Sequence, residues 1–131
     1  MRVDWVILCR YAEVNDGLAT IVGAGIDALF APELPCELGF PIVIRIVGLA
    51  DGREHTVEVE VLDPEMQRVA EPLSMAFTPE PGPQATPGWE GHAIFPAGVV
   101  FEARQYGAYL LNVKIDDNSR SVAFEIREPP S

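Results

Sequence analysis

The sequence predicts an all-β fold, a two-sheet antiparallel β-sandwich of the immunoglobulin-like, Greek-key type with about eight strands. Apolar and polar residues alternate with the period of a β-strand in several segments, and clusters of Gly, Pro, Asn and Asp separate those segments. Helical periodicity is nearly absent. A chain of 131 residues can enclose one hydrophobic core and leaves no room for a second, so we expect a single domain over residues 1–131.

Most of the predicted strands are joined by short turns. In the first of them Tyr11 shares the apolar face of Val3, and a turn at residues 15–17 follows. Residues 26–41 hold three prolines without a sustained period, which predicts a long connection between sheets with a short helical turn at residues 27–30. The predicted strands are residues 3–11, 18–22, 42–49, 55–61, 69–77, 92–95, 99–103, 107–116 and 121–127.

Turn residues fix several of the predicted connections. Asp51 and Gly52 form the strongest hairpin signal in the chain, and Gly23 opens the long connection. In the strand at residues 55–61, valines predict one buried face and glutamates one solvated face. Pro72 either bends the strand at residues 69–77 or confines it to a sheet edge. Such an edge could pair with a second copy or an extended peptide, although Pro72 partly blocks it.

The strand that begins at Gly107 has a recognisable opening. Gly107 and Tyr109 form a Gly-x-Tyr sequence, and Tyr109 begins an alternating apolar face. The arrangement resembles the tyrosine corner of Greek-key sandwiches, in which the phenol donates a hydrogen bond to a nearby backbone carbonyl. We therefore predict a structural role for both residues.

The residues that carry a wider resemblance are Tyr11, Ala12, Val14, Gly17, Ile21, Gly23, Asp27, Phe30, Ala31 and Pro32. They resemble the opening of a family of small bacterial proteins that is catalogued only as a domain of unknown function. The later Gly-x-Tyr strand and the final hairpin also fit, so the resemblance extends over nearly the whole chain. It implies a fold, and it supplies no catalytic residue, ligand or partner.

Charge narrows the range of partners. Nine Lys and Arg residues stand against 20 Asp and Glu residues, so the formal net charge is −11, and the basic residues are scattered. Nucleic acid and anionic membranes would be repelled, because no basic cluster opposes the excess of acid. The charge favours neutral or cationic partners. The only uninterrupted apolar run near the N-terminus, residues 6–9, is too short for a signal peptide or a membrane span, so we expect a cytoplasmic protein.

The reactive side chains do not form a catalytic motif. Cys9 and Cys36 lie in apolar surroundings without a metal-binding spacing, which predicts buried thiols and leaves a disulfide between them open. The two histidines, His55 and His92, stand outside known nucleophile and zinc motifs. We expect His55 to be a structural residue at a strand end, and we expect no catalytic residue and no cofactor.

Two places are candidates for binding. Trp89 lies in the Pro-rich loop at residues 78–91, where an exposed aromatic side chain can dominate recognition, and His92 follows it. The alternative for Trp89 is a side chain folded back over the core. Asp116, Asp117 and Asn118 cluster oxygens at a turn, as calcium requires, but six or more ligands are needed and a plain turn explains the residues better.

These observations lead to three functional hypotheses. The first is a non-enzymatic protein-binding or assembly module, whose partner is another protein or a second copy of the chain. The second is a domain that binds a small ligand or a metal such as calcium, near His92 and Trp89 or at the acidic turns. The third is a small enzyme.

Overall fold

The computed structural model describes residues 1–80, 86, 88 and 90–130, and the regular structure of these residues is β. The all-β class is therefore confirmed. The ten strands are β1 (Arg2–Leu8), β2 (Tyr11–Asn15), β3 (Leu18–Val22), β4 (Ala28–Phe30), β5 (Cys36–Gly48), β6 (His55–Leu62), β7 (Leu73–Phe77), β8 (Gly91–Ala103), β9 (Gly107–Ile115) and β10 (Asn118–Arg127).

The strands form three sheets rather than two. A three-stranded sheet has the order β1-β5-β8, and a curled five-stranded sheet has the order β4-β10-β9-β6-β7. The third sheet is the β2–β3 hairpin. One hydrophobic cluster draws residues from both larger sheets, including Ile42 and Ile44 of β5, Val57 and Val59 of β6, and Phe124 of β10.

The predicted first strand is divided between two sheets. β1 ends at Leu8 and pairs with β5, whereas β2 begins at Tyr11 and pairs with β3. The change of partner takes place in two residues: Cys9 donates its backbone N–H to the carbonyl of Pro41, and Arg10 donates to Val22. The alternating pattern of the predicted strand continues through residues 9 and 10, so the sequence pattern alone does not show that the chain changes sheets there.

The predicted helical turn at residues 27–30 is wrong. Residues 28–30 form β4, which runs parallel to β10 with Ala28 opposite Glu125 and Phe30 opposite Arg127. Backbone bonds extend the pairing at both ends, since Glu125 donates to Asp27 and Ala31 donates to Arg127. Three residues are too few to show a period, so this short edge strand left no sequence signal.

Asp51 and Gly52 do not form the predicted hairpin. The strands on either side, β5 and β6, belong to different sheets, so the segment is a crossover. Gly52 has a φ of 68°, as a tight turn requires, and its N–H donates to the carbonyl of Pro79 at 2.9 Å. A left-handed glycine therefore turns the chain here without pairing the strands that it joins.

The predicted turn between residues 95 and 99 is also absent. β8 continues through it as a 13-residue strand, with Pro96 opposite Val43 and Gly98 opposite Pro41. Because β8 is an edge strand of its sheet, it can contain a proline that lacks an N–H. β7 lies at an edge of the five-stranded sheet, as predicted, and it begins just after Pro72.

Glu60 departs from the solvated face predicted for its strand. Its side chain is only 7% exposed, and it accepts hydrogen bonds from Asn112 at 3.0 Å and from Arg68 at 2.9 Å. The amino group of Lys114 lies 3.3 Å away. These contacts, of which the bond from Asn112 has the largest effect, lower the pKa of the Glu60 carboxyl despite its burial.

Tyr109 adopts the geometry of a tyrosine corner. Its side chain is fully buried, and its hydroxyl donates to the backbone carbonyl of Gln105 at 2.8 Å. Gly107 before it has a φ of 129°, a conformation that side chains rarely adopt. The ring packs against Phe101 and Phe124 in the core.

Among the described residues there is no helix long and apolar enough to cross a membrane.

Candidate functional site

The two residues predicted to bind a partner are not both described. Trp89 lies outside the described residues. His92 is exposed in β8, opposite Val47 of β5. It lines a pocket of about 300 Å³, which also includes Phe77, Phe95 and Glu80. The rings of Phe77 and Phe95 lie with their centroids 5.0 Å apart and give the pocket an aromatic wall.

The acidic turn predicted as a weak metal candidate uses its oxygens within the protein. Asp116 accepts from His55, and Asn118 Oδ1 accepts the backbone N–H of Val3 at 2.7 Å. Asp117 is exposed at the turn between β9 and β10. No group of three or more metal-binding side chains occurs in the part of the chain that the structure describes. The turn therefore holds two strand ends in place.

His55 stands between two carboxylates. Its Nδ1 lies 3.0 Å from Oδ1 of Asp116, and its Nε2 lies 3.0 Å from both oxygens of Asp51. An imidazole ring donates from both nitrogens only when it is protonated. The bonds to Asp51 and then to Asp116 raise the pKa of His55. The backbone N–H of Arg53 and then the bond to His55 lower the pKa of the Asp51 carboxyl, and the bond to His55 lowers the pKa of the Asp116 carboxyl. Because the carboxylates face opposite ring nitrogens, the three side chains share no point where a metal ion could bind.

The cysteines are both reduced. Cys9 is fully buried, its thiol donates to the carbonyl of Pro41 at 3.6 Å, and burial raises the pKa of the thiol. Cys36 is half-buried at the start of β5 and does not form a disulfide. A raised pKa leaves little thiolate near neutral pH, which is the opposite of what a nucleophilic cysteine needs.

The β2–β3 hairpin has one covered face and one free face. Asp16 and Gly17 turn it with φ angles of 53° and 72°, as a tight hairpin turn requires. β2 packs against β5 and β8 of the three-stranded sheet. By register, the residues facing inward are Ala12, Val14, Ala19 and Ile21, and they are half-buried.

The free face of the hairpin is partly apolar. Tyr11 lies opposite Val22, and Asn15 lies opposite Leu18. Tyr11 is 51% exposed, Val22 is 55% exposed and Leu18 is 70% exposed. Exposed apolar side chains that share one small surface are typical of places where proteins bind other molecules. We call this surface, formed by Tyr11, Glu13, Asn15, Leu18, Thr20 and Val22, the hairpin face.

Glu13 occupies the middle of the hairpin face. The hydroxyl of Tyr11 donates to its Oε2 at 3.1 Å, and Nδ2 of Asn15 donates to its Oε1 at 2.5 Å. Each carboxylate oxygen therefore holds one donor from the same strand. The bond to Glu13 raises the pKa of the Tyr11 phenol, because the negative charge opposes formation of phenolate.

Gly23 leads out of the hairpin and determines where Arg10 lies. Its φ is 68°, and a Cβ atom added there would meet Cγ of Arg10 at 2.9 Å. Arg10, Gly23, Asp27 and Phe30 line an open cleft of about 610 Å³ beside the hairpin. Gly25 in the same segment has a φ of 91° with open space around it.

Sequence reasoning missed the hairpin face. The period-2 pattern of residues 3–11 runs unbroken from β1 into β2, so it places Tyr11 on the same core-facing side as Val3. The turn at Asp16 and Gly17, together with the short length of the second strand, was the signal that could have separated a small hairpin from the larger sheet.

Comparison with known protein families gives a match over most of the chain. A family model described as a family of unknown function, DUF6941, matches residues 4–126. No curated protein matches the chain. No solved structure matches it either.

Proposed function

Because the chain belongs to the DUF6941 family, which has no known function, we propose its function from the geometry: it is a non-enzymatic module that binds another protein through the hairpin face. The observation that carries this proposal is the exposure of Tyr11, Leu18 and Val22 on one side of the hairpin formed by β2 and β3. Aromatic and apolar side chains that lose water together contribute most of the energy of protein interfaces.

The reactive groups support a binding role over a catalytic one. Both nitrogens of His55 are held by carboxylates, so neither is free to accept a proton from a substrate. The Cys9 thiol is buried and has a raised pKa. A hydrolytic mechanism needs a nucleophile within hydrogen-bonding distance of a base, and these two residues do not supply that pair.

The rest of the hairpin favours binding of a specific partner over non-specific hydrophobic association. Its inner face packs on the three-stranded sheet, so the outer face is presented on a fixed support. Its outer face also carries polar residues, Glu13, Asn15 and Thr20, beside the apolar ones. The net charge of −11 favours a neutral or basic partner and opposes nucleic acid and anionic membranes.

The proposal is tested by an affinity pull-down of the tagged protein from its native cytoplasm, followed by quantitative mass spectrometry. We expect one stoichiometric partner with the native chain, and its loss with Leu18→Ser and Val22→Ser. Leu49→Ser is the matched control, because Leu49 is 57% exposed in the crossover between β5 and β6. A partner that binds all variants equally would contradict the proposal, and light scattering of the purified chain shows whether the partner is a second copy.

A second candidate function is the binding of a small ligand in the pocket beside His92. The aromatic wall formed by Phe77 and Phe95 supports this alternative, since small-molecule sites are concave, mainly apolar and contain a few polar groups. A thermal-shift screen with small aromatic compounds, calcium and zinc tests it. A ligand that stabilises the native chain and fails to stabilise Phe95→Ala would favour this function over the first.

Two finer expectations also belong to the proposal. We infer that the two larger sheets pack face to face as an immunoglobulin-like, Greek-key sandwich, because Ile42 of β5 and Val57 of β6 belong to the same core cluster. We also expect a cytoplasmic location. Cell fractionation with a tag at the C-terminus would test it.

A further inference from the structure

We propose that the partner meets the hairpin face with an arginine, whose guanidinium pairs with Glu13 while neighbouring apolar residues cover Leu18 and Val22. This inference rests on the proposed function and names the chemistry of the partner. Its first support is the position of Glu13, which lies between the Tyr11–Val22 pair and the Asn15–Leu18 pair of the hairpin register.

The hydrogen bonds of Glu13 leave room for a forked donor. A carboxylate has about four positions that accept hydrogen bonds, two on each oxygen. Tyr11 occupies one position on Oε2, and Asn15 occupies one on Oε1. By this count one accepting position remains on each oxygen, which is the number that the two parallel N–H groups of a guanidinium require. The bonds from Tyr11 and Asn15 also hold the carboxylate in place, which lowers the entropy that binding must remove.

No arginine or lysine among the described residues pairs with Glu13, so a partner can supply that charge. Five arginines pair with carboxylates among the described residues, but none of them, and no lysine there, lies within 4 Å of Glu13. The surrounding charge of −11 attracts a positive group and repels a negative one. Charge therefore selects a basic side chain as the complement of the centre of this face.

The neighbours of Glu13 suit arginine better than lysine. The ring of Tyr11, 51% exposed beside the carboxylate, offers a surface on which a planar guanidinium can stack. Leu18 and Val22 stand at the two ends of β3, beside the strand that carries Glu13, and apolar partner residues that cover them would exclude water from that side of the ion pair. The expected partner segment is extended, with an arginine between apolar residues.

The experiment is selection of random peptides displayed on phage, using the purified native chain and four variants as baits. The native chain should enrich peptides that contain an arginine flanked by apolar residues. Glu13→Gln should lose the enrichment of arginine and weaken a selected peptide by about tenfold or more, since hydrogen bonds between charged groups are the strong ones. Replacing the arginine of that peptide by lysine should weaken binding to the native chain.

The controls separate this inference from the proposed function. Glu37→Gln makes the same change at an exposed glutamate of β5 and should select the same peptides as the native chain. Leu18→Ser and Val22→Ser should abolish selection altogether. Selection of apolar peptides that lack arginine but still require Leu18 and Val22 would contradict the proposed arginine. It would leave the proposal that the hairpin face binds a protein intact. Peptides indifferent to Leu18 and Val22, or no enrichment by any folded bait, would overturn both.

Discussion

Nδ1 of His55 lies 3.0 Å from Oδ1 of Asp116, although 61 residues separate the two in the sequence. The bond joins the start of β6 to the turn between β9 and β10, and on its other side the imidazole is held by Asp51 of the crossover. The His55 side chain is only 9% exposed, so its imidazolium is held in place between the two carboxylates. The cluster lies just beyond the last paired residues of β6 and β9, Val57 and Ile115, and it ties the crossover at Asp51 to that end of the sheet.

We predict that stability falls as the pH rises through the pKa of His55. The pKa is raised above its ordinary value of 6.5, chiefly by the hydrogen bonds to Asp51 and Asp116. The native state therefore keeps a proton that the unfolded chain releases, so the stabilisation is complete below pH 6.5 and is lost above the native pKa. Denaturant unfolding at a series of pH values from below 6.5 to alkaline measures this loss of stability.

The control for this prediction is His55→Gln, which leaves a neutral side chain near the same carboxylates. Its free energy of unfolding should be lower by about 1–3 kcal/mol at neutral pH, because charged hydrogen bonds are lost. The alkaline decline assigned to His55 should be absent. An unchanged pH profile in the variant would show that the imidazolium does not stabilise the fold.

We predict different costs for two glutamates of the same strand. Glu60→Gln should lower the free energy of unfolding by about 1–3 kcal/mol, because Glu60 is 7% exposed and holds Arg68 and Lys114. Glu58→Gln should cost about 0–1 kcal/mol, since Glu58 is 37% exposed and contacts Arg68 only at 3.7 Å. Urea unfolding of both variants tests this. Equal losses would mean that burial does not strengthen the Glu60 network.

The pH dependence of the Glu60 contribution has the opposite sign to that of His55. Its pKa is lowered from 4.5, so the stabilisation is present above pH 4.5 and is lost as the pH falls through the native pKa. The difference in stability between the native chain and Glu60→Gln should therefore shrink on acidification. Unfolding at neutral pH and well below pH 4.5 compares the two conditions directly.

We predict that Gly23→Ala destabilises the protein more than Gly25→Ala. Both glycines have positive φ angles, so each alanine brings a backbone cost of about 1–2 kcal/mol. Only at Gly23 does the added Cβ meet the Arg10 side chain, at 2.9 Å, and Arg10 has to move. We expect an extra loss of about 1 kcal/mol, since overpacking costs that much or more. In an Arg10→Gly background, which removes Cβ as well as the rest of the Arg10 side chain, the difference should disappear. A difference that persists in that background would contradict the clash.

Local pattern predicted the class of the fold because a strand's period depends only on neighbouring residues. The local pattern does not show which strands pair with each other. The alternation of residues 3–11 continues while the chain passes from β1 in one sheet to β2 in another. The same limit applies to turns. Gly52 has the left-handed φ of a hairpin glycine, yet it leads into another sheet, because packing over long distances decides which strand the next segment joins.

The candidate site was harder to predict for the same reason. Alternation assigns Glu60 to a face but does not show that Arg68 and Lys114 cover it. Asp51 and Asp116 each read as turn residues, and only the fold brings them to His55. The sequence pattern placed Tyr11 on an apolar face, whereas the residue is exposed because the hairpin lies outside the core.

The Tyr11–Glu13 bond gives a spectroscopic test of the surface proposed to bind arginine. The bond raises the pKa of the Tyr11 phenol above its ordinary value of 10.0, because the adjacent carboxylate holds the proton. Glu13→Gln should therefore move the titration of one of the three tyrosines to lower pH, measured by the ultraviolet absorbance of tyrosinate. Tyr11→Phe identifies that tyrosine, and Glu37→Gln should leave the curve unchanged. An unaltered curve in Glu13→Gln would show that the carboxylate is not held by Tyr11, and the fixed geometry that favours a guanidinium would then be lost.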